Sequence, residues 1–420
     1  MPGSAPCPYN PAIHNGPRLT SHAVATPRQY PVNRIERDLA RALSIADLRA
    51  IAQRRLPRSV FEFIDGGAED ELTLRENRAA FERIRLAPRV LTDVSSLNLE
   101  TEIVGKVAQA PFVIAPMGSC MLGWPQADIA LARAAAAHGI PYTLSTMSTT
   151  SIERMADAVQ GRLWFQLYVL RDRAFNAQLV ERAARAGYET LVVTVDLQAG
   201  GKRERDLRNG ISIPLRMTAR HLWEGATHPG WAWRTLRAGL PEFENVRGLM
   251  QDQGAGLTIA ALVGQNLDAA YNWDDLARLR DSWAGKLLVK GVEHPLDAAH
   301  LVEMGVDGLW ISNHGGRQFD GAEASAAALP YVARAVNGRV PLLIDSGVRR
   351  GVDALKARVL GAQAVAIGRA ALFGACAGGE AGVNRALDIL IGELRLAMKL
   401  AGTPNLAAAD DALLLEKPRI

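Results

Sequence analysis

The sequence is poor in cysteine. Cys7, Cys120 and Cys376 are scattered over 420 residues without a CxxC pair. That excludes a disulfide scaffold and fits a reducing compartment or simple indifference to redox. Long apolar runs are also missing: no uninterrupted stretch of about 18 apolar residues occurs, so a spanning helix is not expected. Charge of one sign is scarce. The 48 basic and 44 acidic residues leave a dispersed excess of +4, too little to make nucleic acid a partner, though compatible with small acidic substrates or an anionic membrane surface. The first 40 residues are rich in proline and polar side chains and carry no apolar h-region; they read as a disordered or loosely packed arm, not a secretory signal.

The chain is well supplied with core-forming residues, 48% hydrophobic with 38 glycines, enough for one large barrel or two ordinary domains. Ser44 is placed to cap a helix over IADLRAIAQRRL. Two short helices interrupted at Gly66 and Gly67 follow. From residue 111 a rhythm sets in. Eight short apolar runs, PFVIAP (111–116), PYTLST (141–146), LWFQLY (163–168), TLVVTVD (190–196), KLLVKG (286–291), GLWISN (308–313), PLLIDSG (341–347) and AVAIGR (364–369), alternate with alanine-rich helical stretches. Runs without polar alternation are buried on both faces, as parallel strands under helices are. Eight such units predict an α/β fold, a closed (β/α)8 TIM barrel. No GxGxxG follows any of the runs, which argues against an open dinucleotide-binding sheet. The expected domain covers residues 41–405, with a helical extension before the barrel and a tail over 406–420. A long insertion after strand 4, residues 206–270, fits no strand–helix unit. Its Trp223, Trp231 and Trp233, near Arg234 and Arg237, suit either a lid over the barrel mouth or a membrane-contact patch.

Barrel active sites lie where the C-terminal ends of the strands converge. Those ends carry Met117–Gly118, Ser145–Thr146, Gln166 and Tyr168, Thr194 and Asp196, Lys290, Ser312 to His314, Asp345 with Gly347, and Gly368 with Arg369. Amide, hydroxyl, ammonium, imidazole and carboxylate groups therefore meet at one mouth. His314 has no HxH or HExxH companion, and His294 stands beside Pro295 as a first-turn helix residue, so no zinc ligand set is visible. DSGVRRG and AIGRA each place glycine and arginine after a strand. Arg349 or Arg369, with backbone N–H groups, suits a phosphate site across the last two strands.

From about Leu43 to Ala401 the chain resembles the FMN-dependent α-hydroxy acid oxidase and dehydrogenase family, which includes glycolate oxidase, L-lactate dehydrogenase and mandelate dehydrogenase. SNHGGRQFDG (312–321) is similar to its active-site signature, and DSGVRRG, GGAEDE, FQLYV and RERDLRNG match as well. HPGWAWRTLRAG and LRDSWAGKLLVKG are more similar to the membrane-associated dehydrogenases than to the soluble oxidases. The resemblance implies FMN as cofactor, bound by Pro116, Met117, Gly118, Ser145, Gln166, Thr194, Lys290, Ser312, Asp345, Gly347, Arg349, Gly368 and Arg369. It implies His314 as the base, Asp196 as its carboxylate partner and Tyr168 as a hydroxyl near the substrate oxygen. Arg203 and Arg317 clamp the substrate carboxylate, with Phe63 and Met147 at the substrate. It further implies a small 2-hydroxy acid substrate, a quinone or other electron acceptor, a homo-oligomer (a tetramer), and a cytoplasmic protein peripheral on the inner face of the plasma membrane.

Three departures bear on specificity. Phe63, in VFEFIDGGAED, replaces a tyrosine that the family uses on the substrate carboxylate, Met147 stands where oxidases often carry tryptophan, and Met117 departs as well, the two methionines being expected in the pocket wall. Gly118 sits where soluble oxidases commonly have alanine and the mandelate-type dehydrogenases glycine. The expected activity is therefore a dehydrogenase of an L-2-hydroxy acid. An oxygen-using oxidase is the alternative, and a flavin-binding module without turnover a further one, motivated only by the hydroxyl lost at Phe63.

Overall fold

The computed structural model describes residues 34–210, 212–213, 218–239, 241–247, 257–258 and 264–415. Eight parallel strands close into a barrel: β1 (Phe112–Ile114), β2 (Tyr142–Ser145), β3 (Leu163–Tyr168), β4 (Thr190–Thr194), β5 (Lys286–Lys290), β6 (Gly308–Ile311), β7 (Leu342–Ile344) and β8 (Ala364–Ile367). Each pairs with its neighbour in sequence, and β8 pairs with β1 through Val365–Phe112, Ala366–Val113 and Ile367–Ile114. The alternation of strand side chains separates two cores. Val113, Trp164, Val192, Leu288, Trp310 and Leu343 fill the barrel, whereas Phe112, Ile114, Phe165, Leu191 and Val193 pack outward under the helices. Both interior tryptophans have their indole N–H satisfied: Trp164 donates to Glu189 Oε1 at 2.8 Å and Trp310 to Asp345 Oδ2 at 3.1 Å. A hairpin, Thr101–Ile103 with Lys106–Ala108, closes the N-terminal end, with Ile103 and Val104 in the interior cluster.

Four helices precede the barrel: α1 (Arg34–Arg41), α2 (Ile45–Arg55), α3 (Arg58–Asp65) and α4 (Leu72–Arg83). Ser44 caps α2 in a capping box with Asp47. Residues 34–40, expected to belong to a loose arm, are helical. Leu39 is buried, and a Cβ on Gly378 of the helix Arg369–Ala401 would sit 2.8 Å from it. This docking is non-local, so the short segment gives little warning of it. Residues 1–33 of the arm lie outside the described residues. The expected tail begins as ordered chain: Leu406 and Leu413 are buried in 3₁₀ turns, and Ala87 N donates to Leu413 O. In the insertion, two helices, Ala219–Thr227 and Pro229–Ala238, accompany a two-residue ladder between Ser212–Ile213 and Leu257–Thr258. Among the described residues no helix is long and apolar enough to cross a membrane.

Candidate active site at the barrel mouth

The loop after β6 sets the geometry. His314, Gly315 and Gly316 have φ of 59°, 69° and 70°, three successive left-handed residues. Glycine is required twice over for space as well: a Cβ on Gly315 would lie 2.7 Å from Arg369 Nη1, and one on Gly316 2.5 Å from Leu74 N. His314 has no such freedom, and a non-glycine residue in this region stores roughly 1–3 kcal/mol that neighbouring contacts must offset. Those contacts are visible. Ser312 Oγ accepts from His314 N, Ser346 Oγ from Gly315 N, and Asn313 Oδ1 from Gly316 N. Asn313 and Asn77 exchange amide hydrogen bonds at 2.8 and 2.7 Å. Asp320 accepts from the N–H groups of Leu72 and Thr73, satisfying the first turn of α4.

The turn presents His314 between two partners. Its Nδ1 is 3.0 Å from Asp196 Oδ1 and its Nε2 is 3.2 Å from the Tyr168 hydroxyl. Burial lowers the imidazole pKa against the opposing pull of Asp196. Burial pushes the Asp196 carboxyl up, but His314 and Lys290 outweigh it and hold the group below its usual range. Lys290 Nζ donates to Ser312 Oγ at 2.8 Å and lies 3.6 Å from Asp345 and 3.9 Å from Asp196. Despite burial, Asp345 and Asp196 raise its pKa, so it is a fixed cation.

A cavity open at its mouth is lined by the sequence-selected Phe63, Pro116, Met117, Gly118, Met147, Tyr168, Arg203, Lys290, His314, Arg317, Asp345, Gly347, Arg349, Gly368 and Arg369. Ser145, Gln166 and Thr194 form a hydrogen-bonded row across β2, β3 and β4 instead. Ser145 Oγ donates to Gln166 Oε1, and Gln166 Nε2 to Thr194 Oγ1, each at 3.0 Å. Asp196 and Ser312 stand behind the wall, holding His314 and Lys290.

Four guanidiniums share this cavity. Arg317 donates to the carbonyls of Phe63 and Gly66 and lies 5.3 Å over the Phe63 ring. Arg369 donates to the carbonyls of Ile64, Gly315 and Gly66. Burial, with Arg317 adding repulsion, lowers the Arg203 pKa to about 9; burial, with Arg78, lowers Arg349 to about 10. Burial and the nearby Arg317 and Arg349 also hold Arg369 well below the usual guanidinium range. Guanidiniums at such a disadvantage call for anionic ligands. A mononucleotide would meet that demand, Arg349 and Gly347 being placed to hold its phosphate and the Ser145–Gln166–Thr194 row with Lys290 its ring system. Arg203 and Arg317 remain for a second anion.

Sequence reading passed over Gln318 and Ser346. Gln318 Oε1 accepts from Gly201 N at 2.6 Å and so anchors the segment leading to Arg203. Ser346, at φ 71°, donates to Asp345 Oδ1 while accepting from Gly315. Both lie inside the quoted motifs, which was the available signal.

The profile of the family "FMN-dependent dehydrogenase" matches residues 52–416. The chain is 43% identical to the L-lactate dehydrogenase of Pectobacterium atrosepticum over 364 residues, 86% of this chain and 94% of that protein. It is 43% identical to that of Stenotrophomonas maltophilia over 362 residues, 86% of this chain and 95% of the relative. Among solved structures it is similar to monotopic membrane protein (S)-mandelate dehydrogenase, with a TM-score of 0.85 and 40% identity, covering 90% of this chain and all of that one. A mandelate oxidase is similar at a TM-score of 0.73 and 36% identity, covering 88% and 97%.

The His314–Asp196 geometry can be checked without turnover. Histidine NMR on the free protein is expected to place the His314 pKa below the ordinary value of about 6.5. Asp196→Asn should move it lower still, because the carboxylate favours the imidazolium. A value above the ordinary one, or a rise in the variant, would contradict the reading.

Proposed function

The chain belongs to the FMN-dependent dehydrogenase family and oxidises an L-2-hydroxy acid to the 2-oxo acid with FMN as cofactor, and from that premise we propose how its own residues do so. The observation that carries the reading is the placement of His314: Nδ1 on Asp196, Nε2 facing a cavity that also holds Tyr168, Arg203 and Arg317. Arg203 and Arg317 bind the substrate carboxylate, fixing its orientation and neutralising it in a site removed from water. The substrate hydroxyl then lies by Tyr168 and His314. Neutral His314 takes at Nε2 one of the two protons lost from the substrate CH–OH group, the other leaving with the electron pair, and its Nδ1–H donates to Asp196, which stabilises the imidazolium. Bound FMN supplies the two-electron redox chemistry. Lys290 would hold its ammonium near the bound cofactor and stabilise the negative charge that reduction adds.

The acceptor is a quinone or another non-oxygen oxidant. Gly118 supports this by its residue type, glycine being usual in the mandelate-type dehydrogenases where soluble oxidases commonly carry alanine; a Cβ here would lie 2.9 Å from the Met147 Cβ. Oxygen as the acceptor remains the alternative, and reoxidation faster with air-level oxygen than with a quinone analogue would favour it. The resemblance also supports a homo-oligomer, a tetramer, which light scattering of the full chain checks.

Met117, Met147 and Phe63 line the wall available to the substrate side chain. Methionine adapts to irregular apolar groups, and each ~50 Å² buried contributes about 1.2 kcal/mol, roughly tenfold. Anaerobic flavin bleaching is therefore expected to give a higher kcat/KM for L-mandelate or a medium-chain L-2-hydroxy acid than for glycolate, and little for the D enantiomers. Glycolate outperforming both would contradict the size argument.

The insertion supports peripheral attachment to the inner membrane. Its inward face is anchored: Trp231 Nε1 donates to Leu122 O at 2.9 Å and Arg234 lies 4.4 Å over Trp124. Its outward face leaves Trp223, Trp233 and Leu236 exposed at 68%, 65% and 79%. Apolar and aromatic side chains beside arginines suit the headgroup boundary of a bilayer. Replacing these three by serine should abolish cosedimentation with anionic vesicles while flavin reduction by substrate stays unchanged. Equal sedimentation of both proteins, or of neither, would leave the face as part of a lid.

A further inference from the structure

Beside the strand-end lysine lies a carboxyl group with no part in the reaction above. Glu293 follows Lys290 by three residues, on the loop between β5 and the helix Pro295–Glu303. Gly291 bends that loop at φ 100°, so tightly that a Cβ would lie 2.6 Å from the Asp196 Cβ. The loop is thereby wedged against the carboxylate that holds His314. Glu293 is partly buried, and its Oε1 accepts from Ser325 Oγ at 3.0 Å. Among the described residues it has no ion pair.

The charges around it are unevenly matched. Asp196 approaches from the end of β4, Asp345 from the end of β7 and Glu323 from the loop after β6, and all three repel an ionised Glu293. The one ammonium of the cluster, Lys290, sits 3.6 Å from Asp345 and 3.9 Å from Asp196, so those carboxylates take its charge. Glu293 is left with a neutral hydroxyl. The carboxyl that gains least from a cation is the one to hold a proton near neutrality.

We infer that Glu293 is a positioning residue whose charge state, acting through Lys290 and Asp196, tunes the electrostatic environment of the bound FMN and of His314. Burial, then Asp196, Asp345 and Glu323, push its pKa up to about 7, while the Ser325 hydrogen bond pulls the other way. Below that pH the group is neutral. Above it, a further negative charge stands beside the cluster, disfavouring added electron density on the cofactor and favouring a protonated His314. Reduction of the cofactor near neutrality would in turn draw a proton from solvent onto Glu293. The inference rests on the assignment of the cavity to FMN, and the flavin absorbance of the purified protein tests that assignment separately.

The test is the midpoint potential of the bound flavin across pH, followed by its absorbance in the full-length holoprotein. Wild type should show a break near neutrality, with the potential falling more steeply on its alkaline side, where the ionised Glu293 takes up the extra proton on reduction. Glu293→Gln should lose the break and have a higher potential than wild type at about pH 8, with little difference at about pH 5.5. Ser325→Ala removes a hydrogen bond that favours the ionised form, so its break should move to higher pH; this variant decides the matter if the first does not fold. Breaks at the wild-type position in either variant would overturn the inference. A wild-type protein without bound flavin would instead sink the cofactor assignment.

Discussion

The active site depends on a turn that the chain would not adopt unaided. His314 must enter left-handed backbone space to bring Nδ1 onto Asp196 and Nε2 into the cavity, and two glycines continue that path past Leu74 and Arg369. The cost, roughly 1–3 kcal/mol for such a residue, is offset by contacts from four directions. Ser312 and Ser346 hold the backbone, Asn77 grips Asn313 from α4, and Asp320 satisfies the N-terminal amides of the same helix. The extension before the barrel is therefore part of the catalytic apparatus. It locks the loop of β6, and through Phe63 and Gly66 it supplies the carbonyls that seat Arg317 and Arg369.

The second organising feature is unbalanced charge. Arg203, Arg317, Arg349 and Arg369 face one cavity, each with its charged form disfavoured by burial. Lys290, by contrast, is firmly cationic between two carboxylates. A cofactor phosphate and a substrate carboxylate are anions that would answer this imbalance. In the proposed reading the arginines hold the anions, while the imidazole, its charged form disfavoured by burial, is free to take a proton.

The barrel was legible because its strands are buried on both faces and so form near-continuous apolar runs; PFVIAP frames Phe112–Ile114 and TLVVTVD frames Thr190–Thr194. The candidate site was legible because strand ends converge, which brings Lys290, His314 and Asp345 together from segments far apart in sequence. What escaped were interactions whose partners no local pattern announces. Asp320 caps a helix some 247 residues upstream, and Arg369 is seated on carbonyls of the N-terminal extension. Helix α1 holds its place through Leu39 against the distant Gly378. Glu293 carries no local signal at all; only the fold brings Asp196 and Asp345 near enough to repel its charge.

The central claim is that His314, oriented by Asp196, removes a proton from a substrate whose carboxylate the arginines hold. Anaerobic stopped-flow reduction of the flavin in His314→Gln, with the best substrate, tests it most directly. The variant should bind FMN as the parent does and be reduced slower by at least about 10²–10⁴, the usual contribution of a general base. Reduction within about tenfold of the parent rate would contradict the account.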